Sequence, residues 1–254
     1  MAKKKKSAGK ILLTNIAILI AAAVSTYYVS NYFNKTRFVH YSGFDIDLPT
    51  SYSIHGIDVS RHQSSINWED VKTMKDKNVQ IGFVFIKATE GNNNVDDKFR
   101  VNWMLTKATK IPRGAYHFFN SRRSGETQAQ NFINTVTLQA GDLPPVLDVE
   151  TIYGTSKKDL QQRVVAWLTM VEKHYKVKPI IYTNAVFYET YLAEVCADYP
   201  LWVAHYLVKD KPRISRNWVM WQHSEKGHVN GIDAYVDFNA FNGDSSDFKK
   251  LLLK

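Results

Sequence analysis

The stretch Pro144-Pro145-Val146-Leu147-Asp148-Val149-Glu150 is a short apolar run that ends in two carboxylates two residues apart. Side chains alternate along a strand, so Leu147 and Val149 point to one side while Val146, Asp148 and Glu150 share the other. Two carboxylates held side by side do not ionise alike: loss of the first proton raises the pKa of the neighbour, and burial raises it further. One group can then serve as an acid near neutral pH while its neighbour stays charged, the division of labour that breaking a glycosidic bond requires. The same Asp-x-Glu also suits a salt-bridged or solvated strand edge, so the surrounding chain has to decide.

On either side of this run the chain alternates. Residues 57–59, 81–88, 114–119 and 179–183 read as further strands, the second near-continuously apolar as expected when both faces are buried. Asn67, with Glu69 and Asp70 behind it, reads as the cap of a helix, and 97–109, 125–138, 156–175 and 185–196 read as four more. In 156–175 the apolar residues Leu160, Val164, Trp167, Leu168 and Val171 fall on one helical face. Strand alternating with helix predicts parallel strands joined by right-handed crossovers. Beyond residue 196 the spacing shortens: 201–206, 219–223 and 234–239 are strand-like, but their connections hold Pro212, Gly227 and Gly231 rather than a helical pattern. The expected fold is therefore α/β, a TIM-like eight-stranded barrel with about five helices whose last strands lack crossover helices. Such a barrel carries its chemistry at the C-terminal ends of its strands. There the sequence puts Asp58, Lys87 with Glu90, His117, Asp148 with Glu150, Asn184, His205, Gln222 and Asp237.

Ahead of the barrel, no charged residue occurs between Lys10 and Lys35, and residues 11–24 are apolar apart from Thr14 and Asn15. A basic start followed by such a stretch predicts an N-terminal hydrophobic helix that is exported or inserted in a membrane, its lysines on the cytoplasmic side. The expected organisation is a basic cytoplasmic tail over 1–10, a transmembrane signal-anchor over 11–33, a linker or extension over 34–54 and the barrel over 55–254. Tyr27, Tyr28, Tyr32 and Phe33 suit the far interface of the bilayer. A signal peptide cleaved at Ala21-Ala22-Ala23 or Ala23-Val24-Ser25 is the competing version, and would leave the domain secreted; the length of the uncharged stretch favours the anchor. Either way the domain works in the cell envelope, outside the cytoplasm.

Bulk composition limits the alternatives. A chain of 254 residues with 44% hydrophobic and 13% aromatic content suits one large domain. Of its net charge of +9, Lys3, Lys4, Lys5, Lys6 and Lys10 supply five, and the remainder forms no basic stripe, which argues against nucleic acid as a partner. Cys196 is the only cysteine, so no intrachain disulfide exists and the thiol reads as a small buried side chain. The histidines show no metal-ligand spacing, Ser60 and His62 lack a nucleophile elbow, and Gly91 and Gly114 belong to no phosphate-binding pattern. Neither a metal nor an organic cofactor is expected.

Eight motifs in order resemble the strand motifs of the family 25 glycoside hydrolases, which are lysozymes: Gly56-Ile57-Asp58-Val59-Ser60 with Gln63, Phe85-Ile86-Lys87-Ala88-Thr89-Glu90-Gly91, Gly114-Ala115-Tyr116-His117-Phe118, Pro145 to Glu150, Ile181-Tyr182-Thr183-Asn184, Leu201-Trp202-Val203-Ala204, Trp221-Gln222 and Val236-Asp237-Phe238-Asn239. The resemblance covers residues 55 to about 242 and implies an eight-stranded barrel with five helices. It implies cleavage of the β-1,4 bond between N-acetylmuramic acid and N-acetylglucosamine in peptidoglycan glycan strands by a monomer. It implies that Glu150 is the general acid and that Asp148 orients the substrate's 2-acetamido group. Asp58 and Asp237, from the first and last strands, complete the acidic cluster. Tyr116, Tyr182, Trp202, Gln222 and Asn184 are the implied sugar-binding residues, while Lys87 and Glu90 form a salt bridge at the rim. Two rivals differ in class. A chitinase-like hydrolase would need a longer Asp-x-x-Asp-x-Asp-x-Glu strand, which Leu143, Pro144 and Val146 interrupt. A non-catalytic, membrane-tethered glycan-binding module would be expected to lose acids that are all present.

Overall fold

Residues 8–33, 37–208 and 210–254 are described by the structure, a computed structural model. The basic residues 1–7 and the start of the expected linker, 34–36, lie outside the described residues. In chain order the elements are α1 (Ala8–Phe33), β1 (Phe38–Tyr41), β2 (Ile46–Pro49), β3 (His55–Val59), α2 (Trp68–Thr73), β4 (Lys75–Asp76), β5 (Val79–Glu90), β6 (Asn94–Val95), α3 (Phe99–Thr109), β7 (Arg113–Phe118), α4 (Gly125–Thr135), β8 (Val146–Asp148), α5 (Lys157–Tyr175) and β9 (Ile180–Asn184). They are followed by α6 (Ala185–Phe187), which continues into a wide turn over Tyr188–Leu192, then by β10 (Leu201–Ala204), β11 (Met220–Val229), β12 (Ile232–Phe241) and α7 (Ser245–Leu251).

The eight strands β3, β5 and β7 to β12 form a closed barrel, with β3 paired to β5 on one side and to β12 on the other. The expected fold is found, including the final strands without crossover helices. Asn67 caps α2 as expected, accepting backbone N–H groups of its first turn, and Ser124 and Ser156, not singled out from the sequence, do the same for α4 and α5. Leu160, Val164, Trp167, Leu168 and Val171 of α5 are all fully buried against the barrel wall. Inside the barrel a second apolar cluster holds Phe83, Phe85, Val146, Ile180, Tyr182, Trp202 and Met220. Gly114 makes room for it, since a Cβ there would come within 2.2 Å of the Phe85 ring. A C-terminal helix not foreseen from the sequence, α7, closes the far end by setting Phe248 against Phe83 and Phe241, at 5.6 and 5.1 Å between ring centroids.

One strand runs against the rest. β12 is antiparallel to both β11 and β3, whereas every other neighbouring barrel pair is parallel. Only Asn230 and Gly231 separate β11 from β12, and Gly231 has φ 87°, so the chain reverses in a hairpin; a parallel partner would need a long crossover. Asp237 therefore reaches the cleft from mid-strand rather than from a C-terminal strand end.

Residues 37–54 carry more structure than a linker. β1 and β2 form an antiparallel hairpin whose turn buries Phe44 completely against Phe238, at 5.2 Å between centroids, and whose Leu48 is 1% exposed. Strands four residues long leave too few turns of alternation for a sequence period to register. The helix α1 contains a 20-residue stretch, Ile11–Ser30, long and apolar enough to cross a membrane, and none of it is buried against the rest of the chain. Because the β1–β2 turn is seated in the barrel's outer core, Phe44→Ala is expected to cost about 3 kcal/mol in urea denaturation; a loss below about 1 kcal/mol would mean that the hairpin is only an appendage.

Candidate active site

Where the strand ends converge, a cleft of about 580 Å³ opens. Val146, Asp148 and Glu150 all line it, while Leu147 and Val149 turn to the helix side, as strand alternation requires. The ladder continues past β8, with the Val149 N–H donating to the Tyr182 carbonyl at 3.0 Å, and this holds Glu150 at the rim. Asp58 from β3 and Asp237 from β12 are paired directly in register where the barrel closes, and both face the same cleft. The four acids named from the sequence are therefore one cluster.

Asp58 is the most firmly held. Its Oδ2 accepts from Gln222 Nε2 and Asn239 Nδ2, each at 2.8 Å. Gln222 in turn accepts from the hydroxyls of Tyr182, at 2.7 Å, and Tyr206, while Asn239 Oδ1 accepts from the Trp202 indole at 2.8 Å. Burial pushes the Asp58 carboxyl up, and the two amide donors partly offset it. Asp237 is raised by burial first and then by the like charge of Asp58, with which it shares a hydrogen bond, so that Asp237 carries the shared proton. Asp148 is raised well above the carboxylate range by burial, then by the charges of Glu150 and Asp58. Glu150 is also raised by burial, but a hydrogen bond from Asp148 and the nearby Lys87 ammonium hold it lower. In the free cleft the Asp148–Glu150 pair thus keeps one proton on the buried member. Asp148 Oδ1 is buried and finds no hydrogen-bond partner among the described residues.

Tyr116 and Tyr182 line the cleft, and burial beside the acids raises both hydroxyls well above their ordinary range. Trp202 lies beneath them, 2% exposed, packed at 4.7 Å from both Phe85 and Tyr182. Its ring forms the floor of the site and is not open to stack on a ligand. Gln222 is likewise 2% exposed, with its amide engaged by Asp58 and the two tyrosines. Lys87 and Glu90 form their ion pair at 2.8 Å on the cleft wall.

Asn184 is not among the residues lining the cleft. Its Oδ1 caps α6 by accepting the Phe187 N–H at 2.9 Å. His117 points into the helix layer, fully buried between Thr89 and Gln128, at 2.7 and 3.2 Å, and stacked on Trp167; burial lowers its pKa to about 3. His205 is also outside the cleft lining, its Nδ1 accepting the Arg213 N–H at 3.1 Å. Sequence reasoning missed Asn239, Tyr206, Glu225 and Tyr235. Asn239 closes the motif that begins at Val236, but the motif by itself assigns it no role; Tyr206 follows the Trp202 motif by one strand end. Glu225 and Tyr235 belong to the part of the β11–β12 hairpin that rises past the barrel rim as a wall of the cleft. No group of side chains suited to hold a metal occurs among the described residues.

The raised carboxyls give a sign to the pH dependence of stability. Asp237 binds its proton more tightly folded than unfolded, so its contribution is present at low pH and lost as pH rises through its folded pKa. Three buried histidines, His55, His117 and His223, have lowered pKa values and act oppositely, losing stability as pH falls below about 6.5. Between pH 8 and 6.5 the carboxyl effect stands alone. Chemical denaturation of the intact chain should show a gain on the order of 1 kcal/mol over that window, and Asp237→Asn should flatten it; equal slopes would mean that Asp237 is ionised when folded.

The description "Glycosyl hydrolases family 25" belongs to the family whose sequence profile matches residues 57–232. An uncharacterized protein, YegX of Escherichia coli K12, is 45% identical over 238 residues, covering 91% of this chain and 87% of its own. Lysozyme M1 of Streptomyces globisporus is 35% identical over 212 residues, 76% of this chain and 69% of that one. Among solved structures, a family 25 glycosyl hydrolase from Bacillus anthracis superposes with a TM-score of 0.74 at 32% identity, over 85% of this chain and 98% of that one. The bacterial lysozyme from Streptomyces coelicolor gives 0.71 at 33% identity, over 79% and 97%.

Proposed function

Because this chain belongs to glycosyl hydrolase family 25, and so is a glycoside hydrolase, we propose that it is an N-acetylmuramidase that cleaves the β-1,4 bond between N-acetylmuramic acid and N-acetylglucosamine in peptidoglycan, using Glu150 as general acid. The observation that carries this reading is the convergence of Asp58, Asp148, Glu150 and Asp237 in one cleft, where burial raises all four carboxyls and like charge adds to it at Asp58, Asp148 and Asp237.

In the proposed cycle a sugar lying across Glu150 strips its remaining water and disfavours its charge, which draws the stored proton over from Asp148. Glu150 then passes that proton to the departing glycosidic oxygen. Asp148, now ionised, accepts a hydrogen bond from the substrate's acetamido N–H on the Oδ1 that is otherwise unpaired, and so aligns the acetamido carbonyl oxygen to attack the anomeric carbon. Water, giving a proton to Glu150, then adds at that carbon and breaks the new C–O bond, which restores the acetamido group and returns the proton to the Asp148–Glu150 pair. Asp58 and Asp237 shape the field around this pair, and Tyr116 and Tyr182 offer hydroxyls to the sugar. Gln222 acts at one remove, by holding Asp58 and Tyr182 in place. Peptidoglycan lies outside the cytoplasm, and we take α1 as the uncleaved anchor that keeps the enzyme there as a membrane-bound monomer.

The full chain in detergent, incubated with peptidoglycan whose products are then reduced with borohydride, is expected to yield new muramitol ends. Glu150→Gln should lower their rate by about 10³-fold with the fold intact. Glucosaminitol ends would identify a glucosaminidase instead, and binding without any new ends would remove Glu150 from the proposed role. Asn184→Ala should behave differently, losing about 1 kcal/mol of stability through its missing cap while turnover is unchanged; a drop in turnover at equal folded fraction would return Asn184 to the substrate site.

A further inference from the structure

The direction in which the chain enters the barrel follows from two contacts of the N-terminal hairpin. Phe38 packs on Trp221 at 5.9 Å between centroids, and Trp221 pairs through Ala240 to the level of His55, the first residue of β3. At the hairpin's turn, the Phe44 carbonyl accepts from the His228 N–H at 2.9 Å, seven residues further along β11. β1 therefore runs beside β11 in the direction of the cleft end, starting with Phe38 at the level of Trp221, whose indole donates to the His205 carbonyl at 2.9 Å, and of His55, where β3 begins. The connection from Phe33, the last residue of α1, to Phe38 can span at most roughly 17 Å. Since β1 heads towards the cleft, the chain arrives at it from the closed-end side, and α1 ends within that reach of it.

That end is basic. Strands begin there and helices α3 and α5 finish there, so the exposed Lys110, Lys173, Lys176 and Lys178 share it with Lys249 and Lys250 of α7. Glu172, Asp198, Asp244 and Asp247 oppose them, Glu172 accepting from the Tyr199 hydroxyl at 2.9 Å and Asp247 being tied to Lys250 at 2.9 Å, and the helix ends contribute about half a negative charge each. Asp142 adds nothing, since Arg113 neutralises it in a buried pair at 2.9 Å. A positive excess is left on the closed face, while the cleft face carries acids at its centre.

We propose that the closed end of the barrel rests on the anionic lipid surface of the bilayer that α1 crosses, so that the cleft opens away from the membrane and towards the wall. This rests on the reading of α1 as an uncleaved anchor. The tether confines the basic face to within about two Debye lengths of the headgroups, where its attraction is not fully screened. The axis of the barrel then stands on the membrane, and α5, whose 19 residues span roughly 28 Å, sets the height of the cleft above it.

The test uses the full chain in nanodiscs containing phosphatidylglycerol and rhodamine-labelled headgroups, with a donor fluorophore on Ser246→Cys in α7 or on Lys158→Cys in the first turn of α5. Both positions are exposed, at opposite ends of the barrel, and Cys196 is fully buried and stays unlabelled. Energy transfer from position 246 is expected to exceed that from 158 by about twofold, and to fall towards it in phosphatidylcholine alone or when Lys173→Glu, Lys178→Glu and Lys249→Glu are combined. Equal transfer from both positions, or more from 158, would overturn the proposal; a bias that survives the three reversals would overturn the charge contact. A chain that does not copurify with the discs would instead overturn the anchor reading, and the proposal with it.

Discussion

A carboxylate buried at the seam of the barrel sets the terms for the rest of the site. Asp58 lies on the first strand, its amide donors Gln222 and Asn239 lie on the last two, and these three strands are the ones that close the ring. A buried carboxylate without partners would shed its charge or unfold its surroundings, so the two amides have to be present, correctly turned and themselves satisfied. Tyr182, Tyr206 and Trp202 complete that satisfaction from β9, from the loop after β10 and from β10 itself. Each polar group in this series is oriented by the next, from the two tyrosines and the indole through the amides to the carboxylate. The cost of keeping several acids close together is met by holding protons, and protons held near neutral pH are what acid catalysis needs.

The layers of this molecule were legible in the sequence to different degrees. Helices announced themselves through capping residues and the 3.6-residue spacing seen in α5, and central strands through apolar runs bounded by turn residues. The convergence of the four acids was legible because strand alternation and the order of the strands bring them to one end of the barrel. The reversal of β12 was not, since alternation along a strand looks the same in either direction; only the two-residue gap at Asn230-Gly231 carries that information. Asn184 misled because the last residue of a strand in this fold is also the first residue before a helix, so one polar side chain fits both a site and a cap. Asn239 was passed over for the opposite reason: an amide inside an apolar strand gives no sign of which buried partners it will find.

The two ends of the barrel divide its work. Strand ends with their acids face the cleft, and the β11–β12 hairpin adds Glu225 and Tyr235 as one wall of it. The opposite end is sealed by α7 and by the aromatic cluster around Phe248, and carries lysines beside the helix ends. The β1–β2 hairpin lies along the outside of β11 and β12, so the segment between α1 and the barrel is also part of the packing that supports the closing strands.

Register between Asp58 and Asp237 has a consequence for how the chain becomes active. These partners stand near the two extremes of the barrel sequence, so the contact that closes the ring is among the most non-local the chain makes, and it can form only after almost every residue is available. Until the final strand arrives, Asp58 lacks Gln222 and Asn239, the acid cluster lacks Asp237, and the hydrophobic interior is open along one side. An incomplete chain, whether still being synthesised or trimmed at its C-terminus before β12, therefore has neither a closed barrel nor a formed acid cluster. Assembly of the acid cluster and completion of the fold are a single late event.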